Sequence, residues 1–188
     1  MGIPKISLDP MNVAEFFQFT EGRPDNEKWE LIDGQARMNA SASQLHHIIQ
    51  LALGSAVMMD LRRSGNRLVV SPGIGVRVAD GQMPIPDLVI RPRSQLERRD
   101  CDDAIVVVEI LSPSTATLDL RWKRMAYGAV ASIQHYVVIA QDAVDIIVFD
   151  RATGFTERRI TDAAASLDLP ACGVVIPLAE IYRDTGLL

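Results

Sequence analysis

The sequence predicts an α/β fold of the α+β kind, with one mixed β-sheet flanked by helices. Short runs rich in Val and Ile alternate irregularly with three helical segments, and turn-forming pairs such as Asp-Gly separate several extended segments. The sequence has neither a regular strand–helix alternation nor a Gly-rich phosphate loop, which argues against a doubly wound nucleotide-binding fold. The 188 residues, 48% of them hydrophobic, fit one domain over 1–188 with an N-terminal helix and hairpin extension.

The first segment is expected to form a helix and then a hairpin. Asp9 and Pro10 favour a helix start, as N-cap and first helical residue, and the helix should end before Gly22. Asp33 and Gly34 separate two short extended segments, which is the pattern of a tight hairpin turn.

A second helix follows the hairpin. Ser41 or Ser43 is expected to cap it, and it should run for about 20 residues to the neighbourhood of Ser64. Its apolar residues occupy more than one face, which predicts packing on two sides or a subunit interface.

The rest of the chain is expected to be rich in strands. A polar loop is predicted at 91–103, a third helix at about 117–131, and irregular or short-strand packing at the C-terminus. Strands are predicted at 67–70, 75–78, 84–90, 104–111, 135–140, 145–150 and 156–160.

Two of these apolar strands each carry a carboxylate, Asp87 and Glu109. An ionised carboxylate in such a strand is costly unless it is paired or binds a metal. Hard divalent cations such as Mg²⁺ are held by one or two carboxylates, and the two strands are expected to be neighbours. This favours a divalent-metal site; the alternative is that Asp87 makes turn hydrogen bonds and Glu109 pairs with an arginine.

The third helix brings a lysine into the argument. Its apolar residues predict a buried stripe, made of Leu118, Trp122, Met125, Ala126 and Ala129. Asp119, Lys123 and Tyr127 line one flank of that stripe, and Arg121 lies on the other. From the flank, Lys123 could reach the edge of the sheet. The alternative is a surface ion pair between Asp119 and Lys123.

Together these segments resemble the PD-(D/E)XK nuclease superfamily with its restriction-endonuclease-like core, and more narrowly the Uma-type restriction endonuclease family. The chain is similar to that family from about residue 10 to the C-terminus. The matching segments are Trp-Glu-Leu-Ile-Asp-Gly at 29–34, Pro-Asp-Leu-Val at 86–89, Val-Glu-Ile-Leu-Ser-Pro-Ser-Thr at 108–115, the helix at 119–127 and Gln-His-Tyr-Val-Val at 134–138.

The resemblance implies a metal-dependent DNA endonuclease. It implies that Asp87, Glu109 and the backbone carbonyl of Ile110 hold Mg²⁺ or Mn²⁺, with Glu30 as an auxiliary carboxylate. A cation in this place lowers the pKa of a bound water and offsets charge on the scissile phosphate.

One position departs from the superfamily pattern. The superfamily lysine stands two residues after the glutamate, and that position is Leu111 in this chain. The resemblance therefore assigns the lysine role to Lys123 on the following helix, with Arg121 as the alternative. The groups expected around the metal ligands are His46, Asp119 and Tyr127.

DNA is the partner that the resemblance implies, and phosphate contacts are expected from Arg91, Arg93 and Arg121. The net charge of −5 argues against a broad, sequence-blind grip on nucleic acid. A homodimer is expected because restriction-type nucleases often cut two strands with two subunits, and the second helix and the C-terminal segment could supply its interface.

Cys101 and Cys172 are far apart and predict neither a metal site nor a disulfide framework, which favours a cytoplasmic setting. No signal-peptide core or membrane-spanning stretch is seen, so no membrane partner is expected. Two other functions remain open. One is a catalytically inactive binding or assembly module that keeps the nuclease fold. The other, less supported, is a hydrolase that uses Ser112 or His46.

Overall fold

The protein was analysed as a computed structural model that describes residues 9–24, 26–39, 41–111 and 118–188. The helices are α1 (Val13–Thr20), α2 (Gln44–Arg63), α3 (Leu118–Ala129) and α4 (Leu178–Tyr182). The strands are β1 (Trp29–Ile32), β2 (Gln35–Met38), β3 (Leu68–Pro72), β4 (Gly75–Val76), β5 (Leu88–Pro92), β6 (Asp100–Cys101), β7 (Val106–Leu111), β8 (His135–Ala140), β9 (Ile146–Asp150), β10 (Thr156–Ile160), β11 (Ser166–Leu169) and β12 (Val174–Pro177).

Within the described residues, a six-stranded mixed sheet with the order β10-β9-β8-β7-β5-β3 forms the centre of the molecule. Strands β7 and β8 run parallel, and the other neighbouring pairs run antiparallel. Helix α2, the β11–β12 hairpin and α4 cover one face, and α3 covers the other. The predicted fold class, a mixed sheet flanked by helices, is therefore confirmed.

Side-chain alternation along β7 decides what each face of the sheet contains. Val106, Val108 and Ile110 pack in the cluster that includes α2, whereas Val107 packs in the cluster that includes α3. Successive side chains of a strand point to opposite faces, so Glu109 shares the α3 face with Val107. Burial on both faces also explains why the strand reads as a continuous apolar run.

The predicted hairpin is confirmed in β1 and β2. Its turn residues, Asp33 and Gly34, have φ angles of 50° and 72°, as a two-residue turn of the I′ type requires. A Cβ at Gly34 would lie 2.6 Å from the Cβ of Pro10, and the N–H of Met11 donates to the Gly34 carbonyl at 2.7 Å. The turn therefore needs glycine both for its backbone angle and for this close approach.

The predicted helix start at Asp9 and Pro10 is wrong. Helix α1 begins at Val13, because Asn12 forms a reciprocal capping box with Glu15. The Asn12 side chain accepts the Glu15 N–H at 3.0 Å, and the Glu15 carboxylate accepts the Asn12 N–H at 2.8 Å. Two otherwise unpaired donors are satisfied in this way, which a cap at Asp9 would leave open.

Of the two predicted caps for α2, Ser43 is the one that forms: its hydroxyl accepts the N–H of His46 at 3.1 Å. The helix spans 20 residues, as predicted. The side chains that it buries against the sheet and the C-terminal elements include Ile49, Leu53, Val57 and Leu61. On its outer side Leu51 and Met59 are 72% and 66% exposed. The sheet and the C-terminal elements therefore pack on one face of α2, and these two apolar side chains remain exposed on the other.

Two regions differ from expectation in their details. The predicted strand at 75–78 is limited to β4, which pairs in parallel with β6 inside the stretch predicted as a polar loop. Strands of two residues are too short to show a periodic pattern in the sequence. The C-terminal stretch forms the β11–β12 hairpin and α4, whose Tyr182 is fully buried. In the described parts of the chain, no helix combines the length and apolar character needed to cross a bilayer.

Candidate active site

The pairing of β5 with β7 places the two strand carboxylates together. Leu88 lies opposite Val108 in this antiparallel pair. The N–H of Asp87, the residue before β5, donates to the carbonyl of Val108, the neighbour of Glu109, at 3.0 Å. Oδ2 of Asp87 also accepts the backbone N–H of Ile110 at 2.8 Å. The two predicted strands are neighbours, and Asp87 lies immediately before β5 rather than within it.

Helix α3 supplies both side-chain donors that contact Glu109 among the described residues. Lys123 Nζ donates to Glu109 Oε1 at 2.9 Å, and the Tyr127 hydroxyl donates to the same oxygen at 3.0 Å. Lys123 and Tyr127 are four residues apart, so they lie on one face of the helix. Glu109 and Lys123 are only 4% and 6% exposed, and Tyr127 is fully buried.

The hairpin adds a third carboxylate to this cluster. Glu30, on β1, is 5% exposed, and its Oε1 lies 3.7 Å from Lys123 Nζ. The same oxygen accepts the backbone N–H of Ile85 at 2.8 Å. Glu30 thus connects the hairpin to the segment that leads into β5.

On the opposite side, Asp87 is held by groups from two further elements. Lys28 Nζ and His46 Nε2 each lie 3.2 Å from Oδ1 of Asp87. Gln50 Nε2 donates to the backbone carbonyl of Asp87 at 2.8 Å. His46 and Gln50 are one turn apart at the start of α2, so this end of the helix faces the residue that opens β5.

Asp87 is strongly acidic in this environment. Burial acts to raise its pKa, but the hydrogen bond with His46, the charges of Lys28 and His46 and the N–H of Ile110 outweigh burial and lower the pKa to about 2. The carboxylate is therefore ionised at every pH near neutrality.

Glu109 shows the opposite behaviour. Burial raises its pKa, Lys123 partly offsets that effect, and the charges of Asp87 and Glu30 add to it, so that the pKa rises to about 7. Burial beside Glu109 also raises the pKa of Tyr127 well above its usual value. The tyrosine therefore keeps its proton and donates a hydrogen bond to the carboxylate.

The chemistry of these groups fits a hard divalent cation. In the described ranges, no three side chains of the His, Cys, Asp and Glu types form a ligand set on their own. Asp87 and Glu109 nevertheless offer two adjacent oxygen ligands, and Mg²⁺ is usually held by one or two carboxylates with water and substrate oxygens completing its shell. The contact of Ile110 with Asp87 uses the N–H of Ile110. The carbonyl of Ile110, which the sequence resemblance implies as a third ligand, takes no part in that contact.

The structure brings together most of the residues singled out from the sequence. These residues form two adjoining contact sets, which meet where Asp87 accepts the N–H of Ile110, the neighbour of Glu109. One set is His46 with Asp87, and the other is Glu30, Lys123, Glu109 and Tyr127. The side chain of Asp119 lies outside the described residues, as do Ser112 and Ser114.

Arg91 is a correction, because the structure leaves it no surface with which to contact phosphate. It is 1% exposed and forms a two-pronged ion pair with Asp103, with Nε and Nη2 at 2.8 and 3.1 Å from the two carboxylate oxygens. A planar guanidinium satisfies a carboxylate in this geometry, so the buried arginine is explained by a structural pair.

The other two arginines lie away from the carboxylates. Arg93 follows Asp87 by six positions, beyond the far end of β5, which is about 20 Å along an extended chain. Arg121 is exposed on α3, about 200° around the helix from Lys123. Of the two candidates for the basic group, Lys123 is the one that contacts Glu109.

The predicted buried stripe of α3 is also wrong. Met125 is 77% exposed, whereas the buried positions are those of Lys123 and Tyr127. The helix is turned so that its polar flank faces Glu109, because that carboxylate offers a partner to both side chains.

Sequence reasoning missed Lys28 and Gln50, although both had a detectable signal. Lys28 precedes Glu30 by two positions, so both side chains point to the same side of an extended segment. Gln50 follows His46 by four positions on α2. Either relation would have connected the missed residue to one already singled out.

Comparisons with known proteins show relatives of this chain in sequence and in fold. A protein of Synechocystis sp., named "Uncharacterized protein slr1290", is 23% identical over 184 residues, which cover 96% of this chain and 95% of that protein. A crystal structure of a "putative nuclease belonging to DUF820" from Anabaena variabilis superposes with a TM-score of 0.75 at 14% identity, covering 93% of this chain and 98% of that one, and shows a shared fold.

The family comparison is the most direct one. Residues 13–178 match the model of the Uma2 family, which is described as "Putative restriction endonuclease". The match spans the hairpin, the sheet and all of the clustered side chains, and it supports a nuclease-like function. The chain belongs to the Uma2 family of restriction-endonuclease-like proteins.

Proposed function

We propose that this protein is a metal-dependent endonuclease that hydrolyses phosphodiester bonds in DNA. One observation carries the proposal: Glu30, Asp87, Glu109 and Lys123 come from four separate segments and meet in one buried cluster. Burying three carboxylates together is costly, and a fold that needed only stability would gain little from it. Perturbed carboxylates that converge with a cation are typical of a functional site.

In this proposal Asp87, Glu109 and the backbone carbonyl of Ile110 hold Mg²⁺ or Mn²⁺. Such a cation, when bound, lowers the pKa of a coordinated water and offsets negative charge on the phosphate. The chain prepares the site by keeping Asp87 ionised through its contacts with Lys28, His46 and the N–H of Ile110.

Lys123 is proposed to stabilise the negative charge that develops on the phosphate and to orient the attacking water. A donor that is already in place before the reaction needs no reorganisation at the transition state. Glu30, 3.7 Å from Lys123 Nζ, helps to position the lysine, and Tyr127 fixes the orientation of the Glu109 carboxylate.

The test is a cleavage assay on supercoiled plasmid and on single-stranded DNA with Mg²⁺ or Mn²⁺. We expect Asp87→Asn and Glu109→Gln each to lower the rate by more than about a hundredfold, because each removes a proposed ligand. Glu157→Gln, on the exposed edge strand β10, is the matched control and should cut like the wild type. Undiminished cutting by folded Asp87→Asn would refute the proposal.

A non-catalytic binding or assembly module is the second candidate, and one observation favours it. Oε1 of Glu109 already accepts hydrogen bonds from Lys123 and Tyr127, so the carboxylate is partly satisfied without a cation. Calorimetry with Mn²⁺ separates the two functions. Binding that requires Asp87 supports the nuclease, whereas no binding together with no cutting supports the module.

We also infer that the protein is a homodimer that acts in the cytoplasm. The dimer inference is supported by the exposed apolar side chains of α2, Leu51 and Met59, and the location by two buried, free cysteines. Light scattering should give twice the chain mass for the wild type and a monomer for Leu51→Glu. A monomeric wild type at micromolar concentration would contradict the dimer.

A further inference from the structure

A pocket of about 340 Å³ opens directly beside the candidate active site. Two of its lining residues also belong to that site. Lys28 lines the pocket and contacts Asp87, while Ile85 lines it and donates its N–H to Glu30. A group bound in the pocket would therefore be adjacent to a phosphate held at the carboxylates.

The lining of the pocket includes three aromatic rings, of Phe16, Phe17 and Trp29, and two arginines, Arg23 and Arg99. The guanidinium of Arg23 lies 4.8 Å from the ring centre of Trp29, which also lines the pocket, and 4.1 Å from that of Phe19, which stands outside the lining. The guanidinium of Arg99 lies 4.7 Å from the ring centre of Phe17 and is exposed. Nucleobases stack on aromatic rings and on guanidinium planes of this kind.

The lining is also positively charged, in contrast to the chain as a whole. Its described residues include three cations, Arg23, Lys28 and Arg99, and one carboxylate, Glu27, which is bound to the indole N–H of Trp29 at 2.8 Å. The complete chain carries a net charge of −5. A local excess of cations beside the site attracts a phosphate-bearing strand to this place.

We propose that this pocket receives one unstacked nucleobase of the DNA strand that is cut, so that the substrate carries an unpaired nucleotide beside the scissile phosphate. The inference rests on the proposed endonuclease function. A volume of about 340 Å³ is near the lower end for small-molecule pockets, which suits one planar base rather than a longer segment. A base inside an intact duplex is held in its stack and cannot enter without being extruded.

The first experiment measures binding without cleavage. The chain with Trp122→Phe keeps Trp29 as its one tryptophan, and a short single-stranded oligodeoxynucleotide is titrated into it in EDTA, in parallel with the same sequence as a duplex. We expect the single strand to quench Trp29 emission and to bind about tenfold more tightly than the duplex. Equal affinity for both forms without quenching would overturn the inference.

The second experiment tests the pocket walls. Arg99→Gln removes an exposed guanidinium, and Phe17→Leu removes the ring beneath it; each should weaken single-strand binding about fivefold and leave duplex binding unchanged. Arg158→Gln, on the opposite edge strand β10, is the matched control and should change neither. Because Arg99 is exposed, its variant remains informative if Phe17→Leu fails to fold. Unaltered single-strand binding in folded Arg99→Gln would count against the pocket.

Cleavage assays separate this inference from the function on which it rests. If the wild type cuts DNA, Asp87→Asn does not, and the pocket variants keep the wild-type preference between single strand and duplex, the endonuclease stands and the pocket inference falls. If the wild type cuts nothing but single strands still quench Trp29, the endonuclease falls and base binding stands.

Discussion

Asp87, just before β5, and Glu109, on the neighbouring strand β7, are close to each other, yet one carboxyl has a pKa of about 2 and the other a pKa of about 7. Asp87 has three donors, which are Lys28, His46 and the backbone N–H of Ile110. Glu109 is more deeply buried, with Asp87 and Glu30 as like-charged neighbours. The number of donors and the burial decide the acidity of each group, even though both side chains are carboxylates on the same sheet.

This difference gives the two carboxylates different tasks before any ligand binds. Asp87 is an anion at neutral pH, so it is ready to attract a cation. Glu109 is partly protonated near pH 7 and would have to lose that proton to serve as the proposed cation ligand. Variants that change the surroundings of Glu109 and of Asp87 separately therefore test this difference in pKa.

The largest effect should come from Lys123→Met. Breaking a buried ion pair by removing one partner typically costs about 3–5 kcal/mol, and we expect a loss of unfolding free energy in that range at pH 8. The folded-state pKa of Glu109 is raised, so its protonated form favours folding, and that stability is lost as the pH rises through about 7. Removing Lys123 raises this pKa further, so the loss should be smaller at pH 6 than at pH 8.

Urea unfolding followed by circular dichroism at the two pH values measures this difference. The double variant Lys123→Met with Glu109→Gln is the control, because it has no buried carboxyl at position 109 to titrate. Its stability loss should be nearly the same at both pH values. A pH-independent loss in Lys123→Met alone would show that Glu109 does not control the effect.

A smaller effect is expected in cation affinity. Since Glu109 must release a proton to bind a cation, the apparent affinity for Mn²⁺ should fall about tenfold per pH unit below pH 7 and level off above it. Asp87, with a pKa of about 2, adds no dependence in this range. Calorimetric titrations between pH 5.5 and 8 measure the slope. Glu109→Gln should bind weakly and without the slope, and an equal slope in that variant would contradict the assignment.

The smallest effect should come from Lys28→Met. The Lys28 side chain is 38% exposed, and exposed ion pairs contribute about 0–1 kcal/mol, so the unfolding free energy should drop by less than about 1 kcal/mol. The pKa of Asp87 would rise, yet His46 and the Ile110 N–H keep the group ionised between pH 6 and 8. The loss of unfolding free energy should therefore be equal at pH 6 and pH 8 in the same urea experiment. A strong pH dependence would mean that Asp87 titrates near neutrality.

The sequence predicted the sheet and the carboxylates well because both depend on local patterns. Apolar runs locate β5 and β7, and a charge inside such a run is conspicuous wherever the strand lies in the sheet. The hairpin was equally local, since Asp33 and Gly34 determine the turn by themselves.

The predictions were wrong for side chains whose burial depends on residues far away in the sequence. Arg91 and Arg93 stand two residues apart, yet Arg91 is buried within β5 in an ion pair with Asp103, whereas Arg93 lies beyond the strand and is exposed. The orientation of α3 was wrong for the same reason. Hydrophobic periodicity favoured burying Met125, whereas the helix buries Lys123, which contacts the carboxylate of Glu109.

The small N-terminal layer has a consequence for how long the site stays assembled. Helix α1 and the hairpin pack in their own cluster, around Phe16, Leu31 and Met83, apart from the clusters on the two faces of the sheet. A layer that buries few side chains can open locally at a lower free energy than the whole domain. Each such opening would withdraw Lys28 and Glu30 while Asp87 and Glu109 stay in place on the sheet. The protein would then alternate between a complete and an incomplete site without unfolding, and the proposed reaction would require the complete one.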